Sequence, residues 1–150
     1  MKGAVRDALP PAAVLAILNP LMKALLRSRA SRAIGGLALI EFPGSRTGRR
    51  LSVVVGWHTL DGTPVAFTPA RWRTNFAGGA AAAVRWRGRD EEHVGTLESD
   101  AEAVAQGINA VVRDGTSPRA LGLRVPAGQA VTADDVRRTG RTMVRFRPVG

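Results

Sequence analysis

Two short apolar runs, Leu37–Phe42 and Leu51–Trp57, flank the stretch Gly44-Ser45-Arg46-Thr47-Gly48-Arg49-Arg50. Short apolar runs bounded by turn residues fit strands better than helices. The two glycines let the backbone turn sharply or approach a ligand closely. The pattern predicts a strand, a tight basic loop and a second strand. Arginine forks and the Thr47 hydroxyl suit phosphate or carboxylate, so the loop is a candidate anion grip.

The same punctuation continues along the chain. The second strand extends to His58, and Asp61-Gly62 is a hairpin signal leading into Pro64–Thr68. Ala82–Arg87 alternates, placing Val84 and Trp86 on one face and Arg85 and Arg87 on the other. Gly88-Arg89-Asp90 should turn it into His93–Glu98. Thr142–Arg147 alternates again, with Val144 and Phe146 opposite Met143, Arg145 and Arg147.

Helical signals surround these runs. Residues 11–28 read as a helix in two pieces, with Asn19 capping a restart at Pro20. Pro69–Phe76 reads as a short helix or loop. Ser99 and Glu102 form a capping-box pattern ahead of Val104, Ile108, Val111 and Val112. Thr132–Asp135 caps a short helix, and residues 114–131 carry no readable pattern. The fold class expected is mainly β with flanking helices (α+β), as one domain over residues 1–150. Tight turns and polar–apolar alternation favour an antiparallel sheet or barrel. No dinucleotide-binding glycine fingerprint follows a first strand, and the loop lacks the Gly-Lys-Ser/Thr of a phosphate-binding Walker A.

Composition narrows the chemistry. There is no cysteine, which excludes disulfides and thiolate chemistry, and His58 and His93 are the only histidines. No metal site is expected from that set. The net charge of +10 points to an anionic partner. Eight arginines lie between Gly44 and Arg89 against one acid, Asp61, so the charge concentrates around the loop. An anionic cofactor fits this arrangement better than nucleic acid, because strand alternation sets Trp86 opposite Arg85 and Arg87. No secretory signal or spanning helix is evident, and cytoplasmic residence is expected. The N-terminal helix reads as amphipathic and packed on the core. Its alternative is peripheral contact with a membrane surface.

Asn19-Pro20-Leu21-Met22, Gly36-Leu37-Ala38-Leu39-Ile40, Gly44–Arg49 and Trp72-Arg73-Thr74-Asn75-Phe76 occur in order. With the strand and turn of Ala83–Arg89, this set resembles the deazaflavin-dependent nitroreductase family of split β-barrel flavin and deazaflavin oxidoreductases. The resemblance covers residues 18–112. It implies a split antiparallel β-barrel like that of FMN-binding proteins. It also implies binding of coenzyme F-420 (8-hydroxy-5-deazaflavin), whose phosphate and polyglutamate tail match the arginine cluster.

By motif match, Arg46, Thr47, Gly48, Arg49 and Ser52 would hold the phosphate region. Val53, Val54 and Val55 would back the ring, and Trp72 and Asn75 would close its other side. The implied reaction is hydride transfer between the reduced coenzyme and a quinone-like, enoyl or nitro acceptor. FMN is the alternative cofactor, and a non-catalytic carrier of a flavin-type ligand is the alternative function. The resemblance names no catalytic residue here, since the chain has no tyrosine. A monomer or a homodimer is expected.

Read by themselves, several of these residues have plainer roles. Trp72 and Trp86 suit core or lid aromatics, and Asn75 suits a helix cap. His58 and His93 both read as surface histidines.

Overall fold

The structure, a computed structural model, describes residues 3–8, 12–33 and 35–149, with backbone alone for residues 12–19. The described strands and α-helices are, in chain order, β1 (Arg6–Asp7), α1 (Ala12–Arg27), β2 (Leu37–Pro43), β3 (Arg50–Gly56), β4 (His58–Leu60), β5 (Thr63–Thr68), β6 (Ala80–Trp86), β7 (Arg89–Glu98), α2 (Ala101–Arg113), β8 (Leu123–Arg124), α3 (Ala133–Thr139) and β9 (Thr142–Pro148). Short 3-10 turns cover Arg29–Ala33, Arg71–Phe76 and Pro118–Leu121.

Seven strands form one antiparallel sheet in the order β3-β2-β6-β7-β9-β5-β4. β3 and β4 occupy its two edges, yet Trp57 alone separates them in sequence. The edges must therefore meet at that end, and the sheet curls into a half-barrel. Farther along, β3 approaches β5 without pairing to it, which leaves a seam. This is the split antiparallel barrel that the strand pattern and the resemblance anticipated.

Period-2 alternation sorts side chains to the two faces of the curl. Ala38, Ile40, Phe42, Val55, Trp57, Ala66, Val84, Val144 and Phe146 fill the inside with Phe76. Phe76 meets Phe42 and Phe146 edge-on, with ring centroids 4.9 and 5.8 Å apart. Outside, Val65 and Met143 pack with Val104, Ile108 and Val111 of α2. Each large side chain buried this way contributes roughly 1.5–3 kcal/mol. Gly95 of β7 is obligatory in this packing, because an added Cβ would lie 2.6 Å from the Phe76 ring.

Several local expectations change. α1 runs unbroken through Pro20, so the Asn19-Pro20 restart does not form, and residue 11 lies outside the described residues. Pro20 forfeits one intrahelical bond, a loss one position can bear within a helix of sixteen residues. Asp100, not Ser99, caps α2, its carboxylate accepting the Ala103 N–H at 3.1 Å. That start places Val104, Ile108 and Val111 together on the core. Thr132 and Asp135 do form the reciprocal cap of α3. Burial pushes the Asp135 carboxyl up, but bonds from Arg138 and Thr132 outweigh it and hold the group below its ordinary value.

Arg87 is not on the strand face. β6 ends at Trp86, and Arg87 and Gly88, both at positive φ, make the tight turn into β7. Arg87 thereby lies over the Trp86 ring at 5.2 Å rather than opposite it. Arg85 is half-buried, 3.8 Å from Asp90. The segment without a sequence pattern carries β8, which pairs with β1. Buried Arg141 pins this ribbon, donating to Asp7 Oδ1 at 2.7 Å and to the Gly122 carbonyl at 2.6 Å. No described helix is long and apolar enough to cross a membrane.

Candidate functional site

The seam makes the site. The Gly44 N–H donates to the Arg49 carbonyl at 2.7 Å, and the Trp57 N–H donates to the Gly36 carbonyl at 2.9 Å. Antiparallel ladders alternate bonded and non-bonded pairs. These two bonds therefore assign Leu51, Val53 and Val55 to the β2 ladder. The backbone N–H and C=O groups of Ser52, Val54 and Gly56 turn the other way, into the seam, where no described strand pairs with them.

A cleft of about 320 Å³ occupies the seam. Ser52–Gly56 form one wall and Phe67–Ala70 the other, with Trp72, Leu121 and Gly122 at the margins. Lys23 and Arg141 supply its cations. Of the residues expected from sequence, Ser52, Val53, Val54, Val55 and Trp72 all line this cleft.

Arg46, Thr47, Gly48 and Arg49 lie beside it in the exposed β2–β3 loop. The Gly48 N–H closes the loop onto the Gly44 carbonyl at 2.8 Å, with Gly48 at φ 70°, and the Arg49 N–H bonds the Thr47 hydroxyl at 3.2 Å. Arg50 is tied back to Glu41 at 3.0 Å, and Arg27 stands 3.7 Å from the same carboxylate. Among the described residues, no carboxylate lies within 4 Å of Arg46 or Arg49. Arg49 precedes Ser52 by three residues, roughly 10 Å along an extended chain.

Asn75 does not line the cleft. Its Oδ1 accepts the Ser45 N–H at 2.7 Å and its Nδ2 donates to the Trp72 carbonyl at 2.8 Å. One amide thus joins the basic loop to the turn that carries Trp72. His58 is half-buried beside Gly56 and the Phe67 ring, and burial lowers its pKa. His93 is not a surface residue. It is 3% exposed and stands edge-on to Trp57 and Phe146, because β7 turns it toward the interior aromatics.

Lys23, Phe67–Ala70, Leu121, Gly122 and Arg141 line the cleft without having been anticipated. Only sheet closure brings them to β3, and no local pattern marks them.

Among solved structures, the chain superposes on the FAD and heme binding protein from Mycobacterium smegmatis with a TM-score of 0.50 at 15% identity, over 85% of this chain and 66% of that one. It therefore spans less than two thirds of that protein's length. This likeness supports the fold alone, a split antiparallel β-barrel. The conserved hypothetical protein Rv2991 from Mycobacterium tuberculosis matches at a TM-score of 0.46 and 12% identity, over 99% of this chain and 86% of that one. A candidate 5-nitroimidazole antibiotic resistance protein from Bacteroides thetaiotaomicron matches at 0.45 and 9%, over 100% and 87%. Both lie below the similarity at which a likeness carries an argument. No family model and no curated protein matches the chain.

Proposed function

We propose that the seam cleft binds a flavin-type coenzyme with an anionic side chain, and that the protein is an oxidoreductase acting through it. Coenzyme F-420 is the preferred ligand and FMN the alternative. One observation carries the reading: among the described residues, the cleft wall is a strand edge, Ser52–Gly56, with no strand paired to it, and it continues into a loop whose Arg46 and Arg49 have no carboxylate within 4 Å.

The donor set fits such a ligand. A flavin-type ring carries carbonyl and ring-nitrogen acceptors along one edge, and the backbone N–H groups of Ser52, Val54 and Gly56 face the seam. The five-carbon chain between ring and phosphate covers the span from Ser52 to Arg49. Arg46 and Arg49 would hold the phosphate by charge-assisted bonds. Trp72 would cover the ring and exclude water. Asn75 is a positioning residue, holding loop and lid in one arrangement. When bound, the reduced coenzyme supplies a hydride to an organic acceptor, while the protein supplies orientation and electrostatics.

A second reading rests on the cleft's ionisable side chains. They are Lys23 and Arg141, with no carboxylic acid or imidazole among the described lining residues. That set favours a carrier of the same ligand without turnover. Titration with reduced and oxidised coenzyme F-420 and with FMN, followed by tryptophan fluorescence, tests both. Binding with acceptor-dependent oxidation of the reduced form supports the enzyme, and binding without turnover supports the carrier. Absence of binding by all three ligands at micromolar concentration removes the basis of both.

A further inference from the structure

A second cavity, of about 230 Å³, opens at the end of the half-barrel opposite the Gly44–Arg50 loop. It shares no lining residue with the seam cleft. Trp57, Pro64, Val84, Trp86 and Pro148 form its apolar wall, and Arg89, Glu91 and His93 supply its polar groups.

His93 gives the cavity its chemistry. Its Nδ1 lies 3.2 Å from the Glu91 carbonyl oxygen. A carbonyl only accepts, so the hydrogen sits on Nδ1, and Nε2 of the neutral ring is left as an acceptor. Among the described residues, no hydrogen-bond donor stands on Nε2, and Glu91 Oε2, another acceptor, lies 4.0 Å from it. His93 Nε2 is not among the buried atoms left without a partner, so it meets whatever occupies the cavity. Two acceptors converge in a pocket walled by two indoles, where a donor from outside the chain can reach them.

We propose that this cavity is a small-molecule site for a compact neutral aromatic ring bearing an O–H or N–H donor, of the phenol class. An apolar cavity of about 150 Å³ suffices for a benzene ring, so this one has room for a ring and a substituent. Indole walls favour a flat π ligand. Glu91 and Arg89 bring opposite charges to the lining, which offset each other and suit a neutral ligand. The donor of the ligand would bond His93 Nε2 with its ring against Trp57 and Trp86. The ligand need not be a substrate of the seam cleft, and the site stands whether or not the coenzyme reading holds.

Titration with phenol, and with anisole as a donor-free ring of similar size, tests this by NMR of the three indole N–H signals. The site predicts that phenol shifts the Trp57 and Trp86 signals and leaves Trp72 unmoved. Anisole should bind about tenfold more weakly, the worth of one hydrogen bond. His93→Phe should erase that preference. Shifts confined to Trp72, equal affinity for phenol and anisole, or a preference that survives His93→Phe would each overturn the proposal. Should His93→Phe fail to fold, the phenol–anisole comparison on the unsubstituted protein decides alone.

Discussion

Asn75→Ala asks whether one amide really holds the basic loop. The side chain makes two bonds, from the Ser45 N–H at 2.7 Å and to the Trp72 carbonyl at 2.8 Å. Each is worth about 0.5–1.5 kcal/mol net. Ser45 is exposed, so water replaces its partner and the lower part of the combined range applies. The expected loss of stability is about 1–2 kcal/mol. The hairpin itself persists through Gly44 and Arg49, so the loosening is local. Urea unfolding should show a lower midpoint with an unchanged slope, and the Ser45 amide should exchange faster. Coenzyme affinity should fall as well, since the arginines and Trp72 lose their common anchor. Asn75→Asp keeps an acceptor for Ser45 but sets a carboxylate against the Trp72 carbonyl, and it should be no more stable than Asn75→Ala. An unchanged midpoint together with unchanged Ser45 exchange in Asn75→Ala would refute the tether.

Arg46→Ala and Arg49→Ala should each weaken coenzyme binding by about 1.5–3 kcal/mol with unchanged thermal stability, read by parallel titration and melting. Arg50→Ala should weaken it less, because Arg50 is bonded to Glu41. His58 is held below the ordinary histidine value of about 6.5 by burial. The folded state therefore favours its neutral form, and stability present above that pH declines as pH falls below it. Urea midpoints measured from pH 7.5 to 5 should show this decline shrinking in His58→Gln. Gly95→Ala should destabilise by about 1–3 kcal/mol or more, as the new methyl meets Phe76 at 2.6 Å; a calorimetric midpoint equal to that of the parent would contradict the packing.

What could be read from sequence was local. β2, the basic loop and β3 follow from apolar runs punctuated by glycine, and the Asp61-Gly62 turn from a preference for positive φ. Ser52–Val55 and Trp72 were legible as cleft residues through the family motif rather than through periodicity. The rest depends on closure of the sheet. Trp57 joins two strands at opposite edges, which no run of residues reveals. Arg141 becomes a buried clasp only because β1 and β8 meet above it. His93 looked exposed beside Glu91 and Glu92, yet it stands on the inward face of β7 against Trp57 and Phe146. The helix was expected where α1 lies, but its break was not found, since one proline was read as a boundary inside a helix that continues through it.

Coenzyme titration of the unsubstituted protein and of Trp72→Phe, with tryptophan emission and calorimetry read together, tests the central claim most directly. The seam site predicts saturable quenching by coenzyme F-420 or FMN, largely lost in Trp72→Phe although calorimetry still detects binding. Absence of binding by every form of both coenzymes, or quenching that survives intact without Trp72, would contradict a coenzyme in the seam between β3 and β5.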